Sequence, residues 1–194
     1  MRICNKRKGK ILIALTVFFV FAALIIAARI IYLDEQGNFH VVTKGQLYRS
    51  AQMDNDELAY YLRRYHIKSV LNLRGKSPAS QWYKTEIRIS KKLGVKHYDY
   101  GFSASHLLSI KKMRTVIALL EKLPKPILIH CKAGADRSGL VAALWLYKIK
   151  HYSFKRSFEQ LSVLFGHFPY LGSPTIAMDK SFIKFHKMEG QSVL

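Results

Sequence analysis

The chain has 194 residues, of which 49% are hydrophobic, with a formal net charge of +20. That length holds one ordinary domain plus a targeting segment, and its two cysteines, Cys4 and Cys131, are too few for a disulfide framework. The charge asks for an anionic partner, but no helix-turn-helix, zinc-finger or RNA-binding signature accompanies it, so nucleic acid is not expected.

Residues 1–10 form a basic N-terminus with Arg2, Lys6, Arg7, Lys8 and Lys10. Residues 11–28 then run without a charge, about 27 Å of helix at roughly 1.5 Å per residue. Ile30, Ile31, Tyr32 and Leu33 extend this run, with Arg29 able to snorkel and Tyr32 suited to an interface. The expectation is a transmembrane anchor over 11–33. A cleaved signal peptide is the alternative, although Ile25 or Ile26 interrupts the small-x-small pattern a cut there would need. Five basic residues before the segment, against Asp34 and Glu35 after it, place the N-terminus in the cytoplasm. The rest would lie outside, in the periplasm at a bacterial inner membrane. Residues 34–38 read as a polar linker and 39–194 as the main domain. From residue 34 on, 26 basic and 12 acidic residues leave +14.

Residues 39–48 alternate loosely around Gly45 and suggest one or two short strands. Asp54 to Glu57 open a helix with acids in its first turn, and Leu58, Tyr61, Leu62 and Tyr65 repeat at helical spacing. Residues 69–73 form a buried strand. Ser80 begins a helix that Gly94 stops, and residues 95–102 form the next strand. Ser109 begins a helix with Met113, Ile117 and Leu120 inward, ending before Pro124. Residues 127–130 are a strand and 140–150 a deeply buried helix. Ser153 caps a helix with Phe154, Phe158, Leu161 and Phe165 on one face, and Ser173-Pro174 opens a last helix to about Met188. Alternating strands and helices predict an α/β domain with helices flanking a mostly parallel sheet.

The chemistry gathers in Ile129-His130-Cys131-Lys132-Ala133-Gly134-Ala135-Asp136-Arg137-Ser138-Gly139. A loop between a strand's C-terminal end and a helix start near Ser138 is an anion site, because unpaired N–H groups and the helix dipole point there. The same groups would acidify a thiol and make Cys131 a nucleophile. Arg137, six positions on, can fork two oxygens of a phosphate. These residues predict a phosphate-ester hydrolase working through a cysteinyl-phosphate. Lys132, Ala133, Gly134, Ala135, Asp136 and Arg137 would cradle the phosphate. His130 would orient the loop, and Arg137 with the backbone would serve where other enzymes use a metal or cofactor.

His130-Cys131, five residues, then Arg137-Ser138 resembles the signature of the cysteine-dependent protein tyrosine and dual-specificity phosphatases. Upstream, Leu47-Tyr48-Arg49-Ser50-Ala51-Gln52 and Val70-Leu71-Asn72-Leu73-Arg74 are similar to the entry of small bacterial members. The resemblance implies a tyrosine-phosphatase-like fold and a Ser138 hydroxyl that eases sulfur departure, unless it merely caps the helix. It also implies a carboxylic acid to protonate the leaving oxygen. Asp99 stands 32 positions before Cys131 but within a strand; Asp136 lies inside the signature, where lipid-directed and some bacterial members carry an Asp. Both remain candidates, with His106 behind them. Phosphorylated proteins (phosphotyrosine, phosphoserine, phosphothreonine) are the family's usual substrates. The Lys132-Ala133-Gly134 run and the basic charge favour a phosphorylated membrane lipid as the alternative. A phosphate-binding pseudoenzyme is the remaining possibility.

Overall fold

The computed structural model describes residue 10 and residues 13–21, 24–25, 28 and 37–191. The chain divides into two units, Met1–Gln36 and Gly37–Leu194. In the first unit the expected membrane anchor is not met: among the described residues no helix is long and apolar enough to cross a membrane. Residues 10, 13–21, 24–25 and 28 are helical. The remainder of the segment, at 11–12, 22–23, 26–27 and 29–33, lies outside the described residues, as does Cys4. The expected single-pass placement, with the main domain in the periplasm at a bacterial inner membrane, loses its basis for the same reason.

The second unit carries a five-stranded sheet in the order β1 (His40–Thr43), β2 (Leu47–Ser50), β5 (Ile127–His130), β3 (Ser69–Asn72), β4 (Lys96–Asp99). β1 pairs antiparallel with β2 through the Gly45 turn, and every other pairing is parallel. The expected mostly parallel sheet is therefore present. Gly37 and Asn38, read as the end of a linker, belong to this unit.

Side-chain alternation along the strands divides the core. Leu47, Leu71, Ile127 and Ile129 face a layer of α3 (Ile110–Lys122), α4 (Asp136–Leu144), α5 (Phe154–Phe158) and α6 (Ile176–Gln191). Tyr48, Val70 and Leu128 face the other way, against Leu58 and Leu62 of α1 (Asn55–Arg64) and Ile89 of α2 (Gln81–Lys92). β2, β3 and β5 are buried at every position, as strands covered on both faces of a sheet are.

The helices start where their caps stand. Asp54 accepts from the N–H groups of Asp56 and Glu57, while Glu57 reaches back to Asp54, a complete capping box. Ser109 caps α3 by accepting from Lys112. Three boundaries differ from the sequence reading. β4 ends at Asp99 rather than at 102. α4 begins at Asp136, several residues earlier than expected, and continues as a π-helical turn over Trp145–Ile149. The aromatic helix from Ser153 stops at Phe158, and Phe165 falls in a separate 3₁₀ turn, Val163–Phe165.

Candidate active site

Ser50 and Asn72 both pair in register with His130, so β2, β3 and β5 release their chains at one edge of the sheet. Because β5 lies between β2 and β3, this edge is where a parallel α/β sheet presents a crevice to a ligand. Cys131 is the first residue beyond β5 and is buried.

The loop 131–135 is held from outside by its carbonyls. The Gln52 N–H donates to the Lys132 carbonyl at 3.1 Å, and Asn38 Nδ2 donates to that of Ala133 at 2.8 Å. Arg49 Nη2 donates to the carbonyls of both Gly134 and Ala135, at 2.8 Å each. Four consecutive carbonyls are thereby turned away from the crevice. Among the described residues, none of the N–H groups from Lys132 to Ser138 makes a backbone hydrogen bond; the first that does is Gly139, to Ala135. Those donors form the concave anion site that successive backbone N–H groups make at a helix start.

Gly134 makes the turn possible. Its φ is +68°, and a Cβ there would meet the Ala51 nitrogen at 2.5 Å and the Ser50 carbonyl carbon at 2.7 Å. Only glycine allows the loop to press against β2 in this way.

Arg49 itself is fully buried in β2, with Nη1 donating to the Gln160 carbonyl at 2.8 Å and its guanidinium 4.6 Å above the Phe165 ring. Burial lowers its pKa to about 10, opposed by the negative charges of Cys131 and Asp136.

The functional side chains fall around this cradle. Cys131 Sγ lies 3.6 Å from Ser138 Oγ. Ser138 sits inside the first turn of α4 rather than at its cap, which is Ala135. Arg137 donates from Nη1 to the carbonyls of Leu73 and Phe102, at 3.2 and 3.3 Å. Its buried Nε has no partner among the described residues. Lys132 and Ala133 are exposed at the loop's rim.

Behind the loop, the Glu86 carboxylate on α2 meets His97 Nε2 at 2.7 Å and His130 Nε2 at 3.1 Å, and accepts from Gln52 Nε2 at 2.9 Å. Burial acts to raise this carboxyl, yet the charge and hydrogen bond of His130, then the hydrogen bonds of His97 and Gln52, hold it well below the usual carboxylate range. His130 therefore faces away from the crevice, tied to α2. Gln52 also accepts from Arg74 Nη1 at 3.3 Å, and the Arg74 guanidinium stacks on Trp82 at 3.7 Å. Burial and then the like charge of Arg137 lower the Arg74 pKa, while the charge of Cys131 acts to raise it. A second guanidinium thus stands within electrostatic reach of the thiol.

The two carboxylates expected from sequence diverge. Asp99, at the end of β4, accepts from Asn72 Nδ2 at 2.8 Å and from the Tyr83 hydroxyl at 2.7 Å. Burial, then Asp99, pushes the Tyr83 phenol up to about 12. Both oxygens of Asp99 are thus used to join β3, β4 and α2. Asp136, the first residue of α4, bonds through Oδ1 to His167 Nδ1 at 2.7 Å. His106 is exposed and bonded to Ser103 within its own loop. Among the described residues no cluster of three His, Cys, Asp or Glu could hold a metal ion.

The sequence reading placed Asn38 in a linker, overlooked Glu86 and His167, and gave Arg49 and Gln52 no task. A signal existed for Arg49 and Glu86. Each is a charge in a segment whose neighbours are buried, a position that demands partners.

A parallel-sheet α/β domain with a thiol under an anion-binding helix start defines a cysteine-based phosphatase scaffold. Residues 33–149 match the family model described as the tyrosine phosphatase family, and the chain belongs to that family. It is similar to the inositol diphosphatase SIW14 of Saccharomyces cerevisiae, 26% identical over 157 residues, covering 76% of this chain and 50% of SIW14. The chain thus spans about half the length of that curated relative. Among solved structures, the core catalytic domain of SIW14 from S. cerevisiae superposes with a TM-score of 0.58 at 22% identity, covering 79% of this chain and 93% of its own. P. aeruginosa TpbA in complex with pTyr gives 0.56 at 20% identity, covering 77% and 91%. PTPMT1 in complex with PI(5)P gives 0.55 at 13% identity, covering 78% and 98%.

Proposed function

We propose that this chain hydrolyses phosphate monoesters through a cysteinyl-phosphate on Cys131. The carrying observation is the loop whose four carbonyls are tied outward, leaving its N–H groups around a thiol 3.6 Å from Ser138 Oγ. Cys131 attacks phosphorus as the P–O bond to the leaving group breaks. The N–H groups of 132–138 and Arg137 hold the equatorial oxygens through the transition state. Ser138 then hydrogen-bonds the sulfur as it departs under attack by water.

Asp136 is the proposed proton donor to the leaving oxygen, because it opens the helix that follows the loop, whereas both oxygens of Asp99 already bind the scaffold. Arg74, Arg137 and Lys132 around one thiol favour a substrate with more than one phosphate, an inositol polyphosphate or a phosphoinositide headgroup. Membership of the tyrosine phosphatase family supports a second reading, a phosphorylated protein.

The test is turnover by the full chain on p-nitrophenyl phosphate, a phosphotyrosyl peptide, an inositol diphosphate and a phosphoinositide. Vanadate-sensitive hydrolysis lost in Cys131→Ser is expected. Wild-type protein that binds vanadate without turnover would leave a phosphate-binding module in its place. Arg74→Gln should lower kcat/KM on the multiply phosphorylated substrates about tenfold, and on p-nitrophenyl phosphate much less.

A further inference from the structure

The mechanism above leaves a fully buried histidine unused. His167 follows the 3₁₀ turn, outside every helix and strand, with no solvent exposure. Its Nδ1 lies 2.7 Å from Asp136 Oδ1 and its Nε2 lies 2.8 Å from Asp179 Oδ2. Each ring nitrogen faces a carboxyl oxygen; a protonated ring donates to both, through Nδ1 to Oδ1 of Asp136, which leaves Oδ2 of Asp136 to carry a transferable proton. The backbone N–H of His167 is spent on the Ser162 carbonyl at 3.1 Å. The other nearby charge is Arg49 of β2, which senses Asp136 and stacks on Phe165, two residues before His167.

We propose that His167 is the positioning residue of the proton donor: clamped by Asp179 on α6, it aims Asp136 and pairs the charge left there when the proton goes to the leaving oxygen. The inference rests on Asp136 as the donor. In the first step the S–P bond forms and the P–O bond breaks. The proton leaves Asp136 for that oxygen, and the carboxylate that remains is bonded to an imidazolium already in place. In the second step water gives its proton back to Asp136 as its oxygen attacks phosphorus and the thiolate leaves. His167 keeps both protons throughout. Burial acts to lower its pKa, but the hydrogen bonds and charges of Asp136 and Asp179 raise it to about 9, in keeping with a ring charged at neutral pH. A cation already in place beside the carboxylate that forms stabilises its charge as it develops in the transition state.

The experiment compares wild type, Asp136→Asn, His167→Gln and the double variant on p-nitrophenyl phosphate and on an alkyl phosphate, with vanadate affinity measured for each. Asp136→Asn should lose about a hundredfold or more on the alkyl phosphate and far less on the aryl ester. His167→Gln should show the same split, about tenfold on the alkyl phosphate, with vanadate affinity unchanged and no added loss in the double variant. If Asp136→Asn shows no leaving-group split, the donor assignment itself fails. If Asp136→Asn shows the split and His167→Gln instead loses both substrates equally, or neither, the role of His167 is overturned alone. Should His167→Gln not fold, Asp179→Asn removes the far carboxylate and must show a smaller split of the same sign. Nitrogen-15 spectra of the full chain provide a separate check, since a neutral His167 ring at pH 7 would also overturn the proposal.

Discussion

A single guanidinium carries much of the site's geometry. Arg49 holds two loop carbonyls with one nitrogen and the Gln160 carbonyl with another, so its loss leaves the Gly134 and Gln160 carbonyls without a donor and that of Ala135 with Gly139 alone. Arg49→Met is expected to lower stability by about 3 kcal/mol in urea unfolding, on the basis of roughly 1–3 kcal/mol for each buried acceptor left unpaired. Vanadate affinity should fall with it. Gly134→Ala tests the same loop from inside. The added methyl meets backbone rather than a yielding side chain, so the loop must lift from β2. Turnover should drop by at least about a hundredfold, with a smaller fall in denaturation midpoint. A Gly134→Ala protein as active as wild type would contradict the description of this turn.

At the scale of elements, what was legible in the sequence was what local physics dictates. β5 and α3 begin and end as their apolar runs and the Ser109 cap require. Cys131, Arg137 and Ser138 were readable because their spacing and their chemistry coincide. The segment after Ser153 was not readable. Its aromatic spacing suits one continuous helix, but the chain leaves the helix at Phe158 and gives the Gln160 carbonyl to Arg49, 111 residues away. Likewise β4 was read too long, because the apolar spacing of residues 95–102 does not reveal that Asp99 must turn to Asn72 and Tyr83. Glu86 belongs to this scale, since it joins α2 to β4 and β5. Its carboxyl is held below its ordinary range in the fold, so its stabilising effect is present above about pH 4.5 and is lost as pH falls through the depressed folded value. Glu86→Gln should therefore flatten the acid limb of a stability–pH profile measured by thermal unfolding. An unchanged acid limb would assign that limb to other carboxylates.

For the whole molecule, two charge effects have opposite pH signatures. His167 has its pKa raised from 6.5 to about 9. Its contribution to stability is full below pH 6.5 and disappears as pH rises through about 9. The size is on the order of 2–3 kcal/mol, from 1.36 kcal/mol per unit with allowance for screening. Unfolding midpoints taken between pH 6 and 10 should show this alkaline loss in wild type and lack it in His167→Gln. The excess of basic residues acts on encounter instead. Raising ionic strength from about 0.05 to 0.5 M should raise KM for a multiply phosphorylated substrate more than for p-nitrophenyl phosphate, with kcat little changed. Equal shifts for both would argue against a polyanionic substrate.

The outward-tied carbonyls have a consequence for transplanting this chemistry. Their donors, Asn38, Arg49 and Gln52, lie in the first stretch of the domain, about eighty to ninety-five residues before the loop they hold. The signature segment is thus not portable. Grafted onto another strand–helix junction, it would bring a thiol and an arginine but no inward-facing ring of N–H groups. A fragment beginning after Gln52 would keep every residue of the motif and still lack the anion site.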